Sequence, residues 1–311
     1  MSPERSVLGV KIIFMGTPDY ADEILKEILK QENMEVVAIF TQPDKPVGRK
    51  RVLTPPIVKV TAQENKIPIF QPNRLRDEEV IKEVINIECD FIVVAAYGQI
   101  LPQEILDHAP CINLHASILP QYRGASPIQQ SLLNDDKKSG VTAMLMDIGL
   151  DTGDILKIST IEIDKNMMVN TLFDKLTKIA SNLTIDVLNN YNKLIPQKQV
   201  DKEATHCKKI AKADGEVNFD SATVIYNKYR AFTPWPGIFL CSGLKLKSMK
   251  LYEDESKNEA GKILKFLEKS IVVGCKRGSL ELFTIQPPSK KEINILDYLN
   301  GQRLNVADTL I

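Results

Sequence analysis

The sequence lacks the patterns that mark metal-built, disulfide-stapled or membrane-spanning proteins. Its five cysteines, Cys89, Cys111, Cys207, Cys241 and Cys275, are odd in number, far apart and never arranged as CxxC. That spacing argues against a zinc site and against a disulfide framework, so no metal is expected. Reduced, mostly buried thiols in a cytoplasmic protein are the simpler reading. No apolar run approaches the roughly 18 residues of a membrane span, so no membrane partner is expected. The apolar stretch over 7–15 is short, carries Lys11 and lacks a small-residue cleavage site. It reads as a first strand rather than a signal peptide. That strand leads into Met15-Gly-Thr-Pro18 and not into GxGxxG, and no Walker-type phosphate loop is present. Neither a dinucleotide nor ATP is favoured.

Net charge is missing too, because 40 Lys+Arg balance 40 Asp+Glu over 311 residues. The balance is uneven along the chain. Residues 204–311 hold 17 basic and 12 acidic side chains, a net of +5, and the rest carries −5. A basic C-terminal part on a neutral protein hints at an anionic partner, although five charges over that length are weak evidence alone.

What is present is an alternation of strand and helix patterns over the first two-thirds. Strands are expected over 11–15, 36–40, 91–95, 112–115, 141–146 and 155–163. Helices are expected over 19–31, with Ile24, Leu25, Ile28 and Leu29 as its apolar face, and over 58–63, 77–86, 127–133 and 171–191. The continuous apolar run at 91–95 suits a strand buried on both faces. This order predicts an α/β fold with a mostly parallel sheet covered on both sides. From about Thr205 the pattern changes to short strands over 263–266, 271–275 and 280–285, with Lys276-Arg-Gly278 as a hairpin turn. That tail predicts a small β-rich domain, a barrel in outline. The expected organisation is a lead-in over 1–9, a catalytic domain over 10–193, a linker over 194–204 and a β-barrel domain over 205–311.

Three features carry chemistry. In the strand Cys111-Ile-Asn-Leu-His115, alternation points Asn113 and His115 to one side. An amide donor and an imidazole aimed at one spot suit a reaction at a carbonyl, where one stabilises an oxyanion and the other handles a proton. Taken alone, a histidine at a strand end is more often structural. The second feature is Asp147-Ile-Gly-Leu-Asp-Thr-Gly-Asp154, a tight loop after the 141–146 strand. In open α/β sheets ligands sit outside the carboxyl ends of strands, and Asp151 there could orient His115. Aspartates capping a turn are the equal alternative. The third is Gln42-Pro-Asp-Lys-Pro-Val-Gly-Arg-Lys-Arg51, long for an α/β loop and rich in basic side chains. Such loops commonly meet phosphates, and the alternative is a solvated charge run.

Together these residues resemble the formyltransferases that use 10-formyltetrahydrofolate. The pair Asn113 and His115, the Ser117-Ile-Leu-Pro120 loop and Asp151 look like that family's catalytic signature. Further stretches resemble the branch that acts on methionyl-tRNA: Met15-Gly-Thr-Pro18, Pro43-Asp-Lys-Pro-Val-Gly-Arg49, Ala95-Ala-Tyr-Gly-Gln-Ile-Leu-Pro102, Gly149-Leu-Asp-Thr-Gly-Asp154, Pro234-Trp-Pro-Gly237 and Gln286-Pro-Pro288. The resemblance implies a Rossmann-like catalytic domain and a C-terminal OB-like barrel. It implies 10-formyltetrahydrofolate as formyl donor, methionyl initiator tRNA as acceptor, a monomer, and no covalent enzyme intermediate. It implies Asn113, His115 and Asp151 as the catalytic residues. The folate is expected against Tyr97, Gly98, Gln99, Ile100 and Leu101, against Asp147, Ile148, Gly149 and Leu150, and against Ser117, Leu119 and Pro120, in the Ser117–Gly124 loop that walls the site. Lys45, Arg49, Lys50 and Arg51 are expected to meet the acceptor end of the tRNA. Trp235, between two prolines, is expected to be buried packing. Sister enzymes acting on nucleotide sugars or purine precursors share the Asn, His and Asp but would not need the 43–51 loop or the basic tail.

Overall fold

The computed structural model describes residues 9–48 and 50–310. The expected lead-in over 1–9, Gly9 apart, and Arg49 of the basic loop lie outside the described residues. The chain divides into two compact units. One takes in residues up to 127 with 138–162 and 173–207, and the other takes in 128–137, 163–172 and 208 onward.

The first unit is built on a seven-stranded sheet. Its strands are β1 (Val10–Gly16), β2 (Met34–Phe40), β5 (Ile69–Phe70), β6 (Phe91–Ala95), β7 (Cys111–His115), β9 (Lys138–Leu145) and β10 (Ile155–Glu162). Two short strands between β2 and β5, β3 (Lys45–Val47) and β4 (Val52–Thr54), form a separate hairpin in the basic loop. Two more, β8 (Arg123–Gly124) and β11 (His206–Cys207), pair with each other in parallel. The order across the large sheet is β10-β9-β7-β6-β1-β2-β5. From β5 to β7 every pairing is parallel, whereas β9 runs antiparallel to both its neighbours. The mostly parallel α/β expectation therefore holds.

Helices α1 (Asp19–Leu29), α2 (Ile57–Glu64), α3 (Glu78–Ile85) and α4 (Gln103–Leu106) connect the parallel strands. Apolar spacing sets the buried face of α1, where Tyr20, Ala21, Ile24, Leu25 and Ile28 are enclosed. Asp22 is enclosed with them, and its charge is met by Lys26 at 2.8 Å and the Thr61 hydroxyl at 2.5 Å. All five residues of β6 are buried, as its unbroken apolar run requires. The core beneath the site joins Met15, Phe40, Val94, Tyr97, Leu101 and Cys111, with Met146 packed against it.

Helices α5 (Pro127–Leu133) and α6 (Val169–Asn190) follow. The second unit carries an antiparallel sheet, as the OB-like expectation requires. Its strands are β12 (Ile238–Phe239), β13 (Lys245–Glu253), β14 (Ile263–Phe266), β15 (Ile271–Gly274), β16 (Ser279–Gln286) and β17 (Ile293–Asn294). The 276–278 turn closes the β15–β16 hairpin, with Gly278 at φ +81°. Helix α7 (Ala222–Phe232) begins at Ser221, whose hydroxyl accepts from the Val224 N–H, and α8 (Ile295–Gln302) closes the unit. Trp235 departs from expectation: it is 60% exposed. It sits in the turn that follows α7, where no neighbouring layer covers it.

Candidate active site

Strand β7 presents Asn113 and His115 on one face, as alternation predicts. Asp151 reaches them by a longer route than its position after β9 suggests. Because β9 is antiparallel to β7, Leu145 lies opposite Ile112, at the start of β7, and the Met146 N–H donates to the Cys111 carbonyl. The 146–154 loop thus begins at the amino end of β7 and has to double back over one face of the sheet. It does so with Asp151 in the left-handed region at φ +55°. Gly153 permits the return, since a Cβ there would strike the Leu145 carbonyl. The Asp147 carboxylate ties the loop to itself, accepting from the Gly149 N–H at 3.0 Å and the Thr152 hydroxyl at 2.5 Å.

The three side chains converge. The Asn113 amide donates to Asp151 Oδ1 at 3.4 Å, and His115 Nδ1 lies 3.7 Å from Asp151 Oδ2. The backbone N–H of Gly124 donates to the same Oδ2 at 2.8 Å. His115 Nε2 is 2.9 Å from the Tyr122 carbonyl, which can only accept, so Nε2 carries a proton in either charge state. The nitrogen left for chemistry is Nδ1, beside the carboxylate. His115 is 7% exposed, so the imidazole and the Asp151 carboxylate face each other with little screening by water.

The 117–124 loop, expected as a wall, holds this cluster through contacts that sequence reasoning did not foresee. Tyr122 is itself left-handed at φ +62°, and its N–H donates to the Thr205 hydroxyl at 2.9 Å. Gly124 lies against β11, where a Cβ would meet the Cys207 carbonyl. The Gln199 side-chain amide donates to the carbonyls of Asp151 at 2.9 Å and Gly153 at 2.8 Å. The segment expected as a linker is therefore part of the site's frame. The Gln199 and Thr205 side chains carried no motif; the parallel pairing of β8 with β11 that brings them in is long-range and leaves no local signal.

The residues expected to meet folate divide by what their side chains do here. Tyr97 and Leu101 point into the core cluster. Gln99 is spent on the neighbouring loop, accepting from the Leu75 N–H at 2.7 Å and donating to the Pro72 carbonyl at 3.1 Å. Ser117 is buried and donates to the Gln121 carbonyl at 2.6 Å, and Leu119 is buried beside it. Pro120 is half-buried. In contrast Ile100, Ile148 and Leu150 are 76%, 72% and 62% exposed, an unusual outlay of apolar surface at two loops whose roots share one core cluster. Gly98, at φ +80°, has open space where a side chain would be.

The basic loop is a hairpin whose tip exposes Val47, Lys50, Arg51, Val52 and Leu53, with Lys45 exposed on its first strand. Its stem is anchored: the Lys59 ammonium meets both Asp44 oxygens at 2.8 and 2.9 Å, and Gln71 donates to Asp44 and to the Gln42 carbonyl at 2.8 Å each. The Gln71 and Lys59 contacts hold the Asp44 carboxyl below the usual carboxylate range. Gln42 in turn donates to the Tyr97 carbonyl at 3.2 Å, linking the stem to the 97–101 loop. No cluster of metal-ligating side chains occurs among the described residues. Burial pushes the Cys111 thiol up to about 12 and raises that of Cys207, so neither is a thiolate nucleophile near neutral pH.

The chain is similar to known proteins over most of its length. The family model described as formyl transferase matches residues 10–188, and the formyl transferase C-terminal domain matches 209–303. A methionyl-tRNA formyltransferase from Sulfurimonas denitrificans is 65% identical over 301 residues, 97% of this chain and all of that protein. One from Campylobacter jejuni is 50% identical over 304 residues, 96% of this chain and 99% of that protein. Among solved structures, an N-formyltransferase from Helicobacter canadensis in complex with folinic acid and dTDP-3-aminofucose has a TM-score of 0.67 at 18% identity. It covers 88% of this chain and 98% of that one, a likeness of fold.

Proposed function

We infer the mechanism from one premise: the chain belongs to the formyl transferase family, among the methionyl-tRNA formyltransferases. It transfers the formyl group of 10-formyltetrahydrofolate to the amino group of methionyl-tRNA. The observation that carries the mechanistic reading is the convergence of Asn113, His115 and the Gly124 N–H on the Asp151 carboxylate.

The nucleophile is the amine of the acceptor, so no side chain needs to form a covalent intermediate. Attack on the formyl carbon leaves negative charge on the former carbonyl oxygen. The Asn113 amide donates to that oxygen, and removing one such donor typically costs about 2.7–4 kcal/mol of barrier. His115, as imidazolium, adds a second donor through Nδ1, the nitrogen the Tyr122 carbonyl leaves free. Asp151 balances the imidazolium and accepts the proton that the attacking amine sheds. That proton ends on the folate nitrogen as the carbon–nitrogen bond to the donor breaks.

The residues present suit a flat, partly apolar donor. Ile100, Ile148 and Leu150 offer the exposed apolar surface, and the bare backbone at Gly98 allows close approach. The hairpin's Lys45, Lys50 and Arg51, with Arg49 between them, take the tRNA acceptor end by phosphate and base-edge contacts. The basic tail holds the tRNA body, which supports this acceptor over a nucleotide sugar. On this reading the enzyme works in the cytoplasm as a monomer.

The test is formyl transfer from labelled donor to methionyl initiator tRNA, with elongator methionyl-tRNA and an amino-sugar nucleotide as controls. His115→Ala should lower turnover by orders of magnitude and leave tRNA affinity unchanged. Unchanged turnover would overturn the catalytic assignment, and formylation of the sugar alone would overturn the acceptor.

A further inference from the structure

We propose that Gln199 is a positioning residue for the transfer, one that holds Asp151 in its working pose by clamping that residue's own carbonyl. The proposal rests on the catalytic reading of Asp151 given above.

Asp151 sits at φ +55°, where a residue with a side chain is strained by about 1–2 kcal/mol. Something must hold it there. The hydrogen bonds form a closed ring. The Gly124 N–H holds the carboxylate at 2.8 Å. One residue back, the Arg123 guanidinium grips Gln199 Oε1 through Nε at 3.1 Å and Nη2 at 2.9 Å. Gln199 Nε2 then donates to the Asp151 carbonyl at 2.9 Å and the Gly153 carbonyl at 2.8 Å. The Arg123–Gly124 step thus holds both ends of Asp151, its carboxylate directly and its backbone through Gln199.

Each partner's chemistry fixes the next. A guanidinium only donates and a carbonyl only accepts, so the Gln199 amide has one possible orientation. Arg123 is 4% exposed, and its Nη2 also meets Asp201 at 2.8 Å. Its own backbone is anchored by the Thr205 carbonyl at 2.9 Å. With donors to two carbonyls two residues apart, Gln199 ties down a stretch of the doubled-back loop that lies outside the sheet's strands.

The experiment is a double-mutant cycle on steady-state transfer to methionyl-tRNA, with thermal unfolding as a check on folding. Gln199→Leu should lower kcat about 10²-fold, the scale of a small misplacement of a catalytic group. KM for tRNA and for the folate donor should stay within about twofold, because no substrate contact is removed. Gln199→Glu keeps the acceptor for Arg123 and loses both amide donors, so it should show the same loss; wild-type kcat from it would overturn the proposal. In an Asp151→Gly background, where the positive φ is free and no carboxylate remains, Gln199→Leu should lower kcat less than about twofold further. An equal factor in both backgrounds would mean a general structural role and overturn the proposal. If Asp151→Gly abolishes turnover while Gln199→Leu does not reduce it, the positioning role fails and the catalytic reading stands. If Asp151→Gly itself leaves turnover intact, the catalytic reading fails first.

Discussion

Replacing Asp151 with asparagine isolates charge from shape. Asparagine tolerates the left-handed backbone at φ +55°, and its carbonyl can still accept from the Gly124 N–H. What disappears is the negative charge 3.7 Å from His115 Nδ1 and, with it, the acceptor for the amine's proton, so the charge energy alone sets the least loss expected. At that separation and an effective dielectric near 20, the attraction for an imidazolium is about 4–5 kcal/mol. Removing both groups from water offsets part of it. A remaining ~3 kcal/mol corresponds to roughly 10²-fold in rate. The assay is the single-turnover rate of formyl transfer at saturating methionyl-tRNA, beside the tRNA dissociation constant and the thermal midpoint. The expected result is at least that loss in rate with binding and midpoint unchanged. A fall of less than about tenfold would show that the His115–Asp151 charge pair does not carry the transfer.

Asn113→Ala should lower kcat by about 10²–10³-fold through loss of an oxyanion donor, read as turnover at saturating substrates. Arg51→Glu at the exposed hairpin tip should raise KM for methionyl-tRNA and flatten its salt dependence by about one phosphate contact while leaving folate binding alone. Asp44 has its pKa lowered in the fold by Gln71 and Lys59, so its anchoring is complete above the unfolded carboxylate range and is lost as pH falls through the lower folded value. Asp44→Ala should therefore speed amide exchange in the hairpin stem at neutral pH. At a pH below the folded value it should exchange no faster than the parent.

Some of this was legible in the sequence. The strand at 91–95 and the helix at 127–133 appear with the expected bounds, because an unbroken apolar run and a proline start leave little choice. Strand β13 escaped notice because register shifts near Leu246, Ser248 and Leu251 break the alternation that reveals a strand. Helix α7 is rich in β-branched and aromatic residues, which dilute its helical signal. The hairpin at 45–54 hides behind a proline and strands of three residues each. Asn113 and His115 could be paired from alternation alone, and Asp151 from its turn-rich loop. The rule that brought Asp151 in, ligands at the carboxyl ends of parallel strands, does not describe its path, because β9 is reversed. Gln199, the Tyr122 carbonyl and the Gly124 N–H were out of reach: two are backbone atoms, and the third acts across 48 residues of chain.

The doubled-back loop also sets an order of assembly during synthesis. Once the chain has been made to Asn190, all seven strands of the large sheet and the helix that follows them exist. The frame of the candidate site does not, because β8 finds its partner at His206 and Cys207 and the Asp151 carbonyl finds its donor at Gln199. A chain ending there carries every strand of the large sheet but neither of these partners. The contacts that set Asp151 are thus completed only when residues 197–207 have been made, well after the last strand of the sheet.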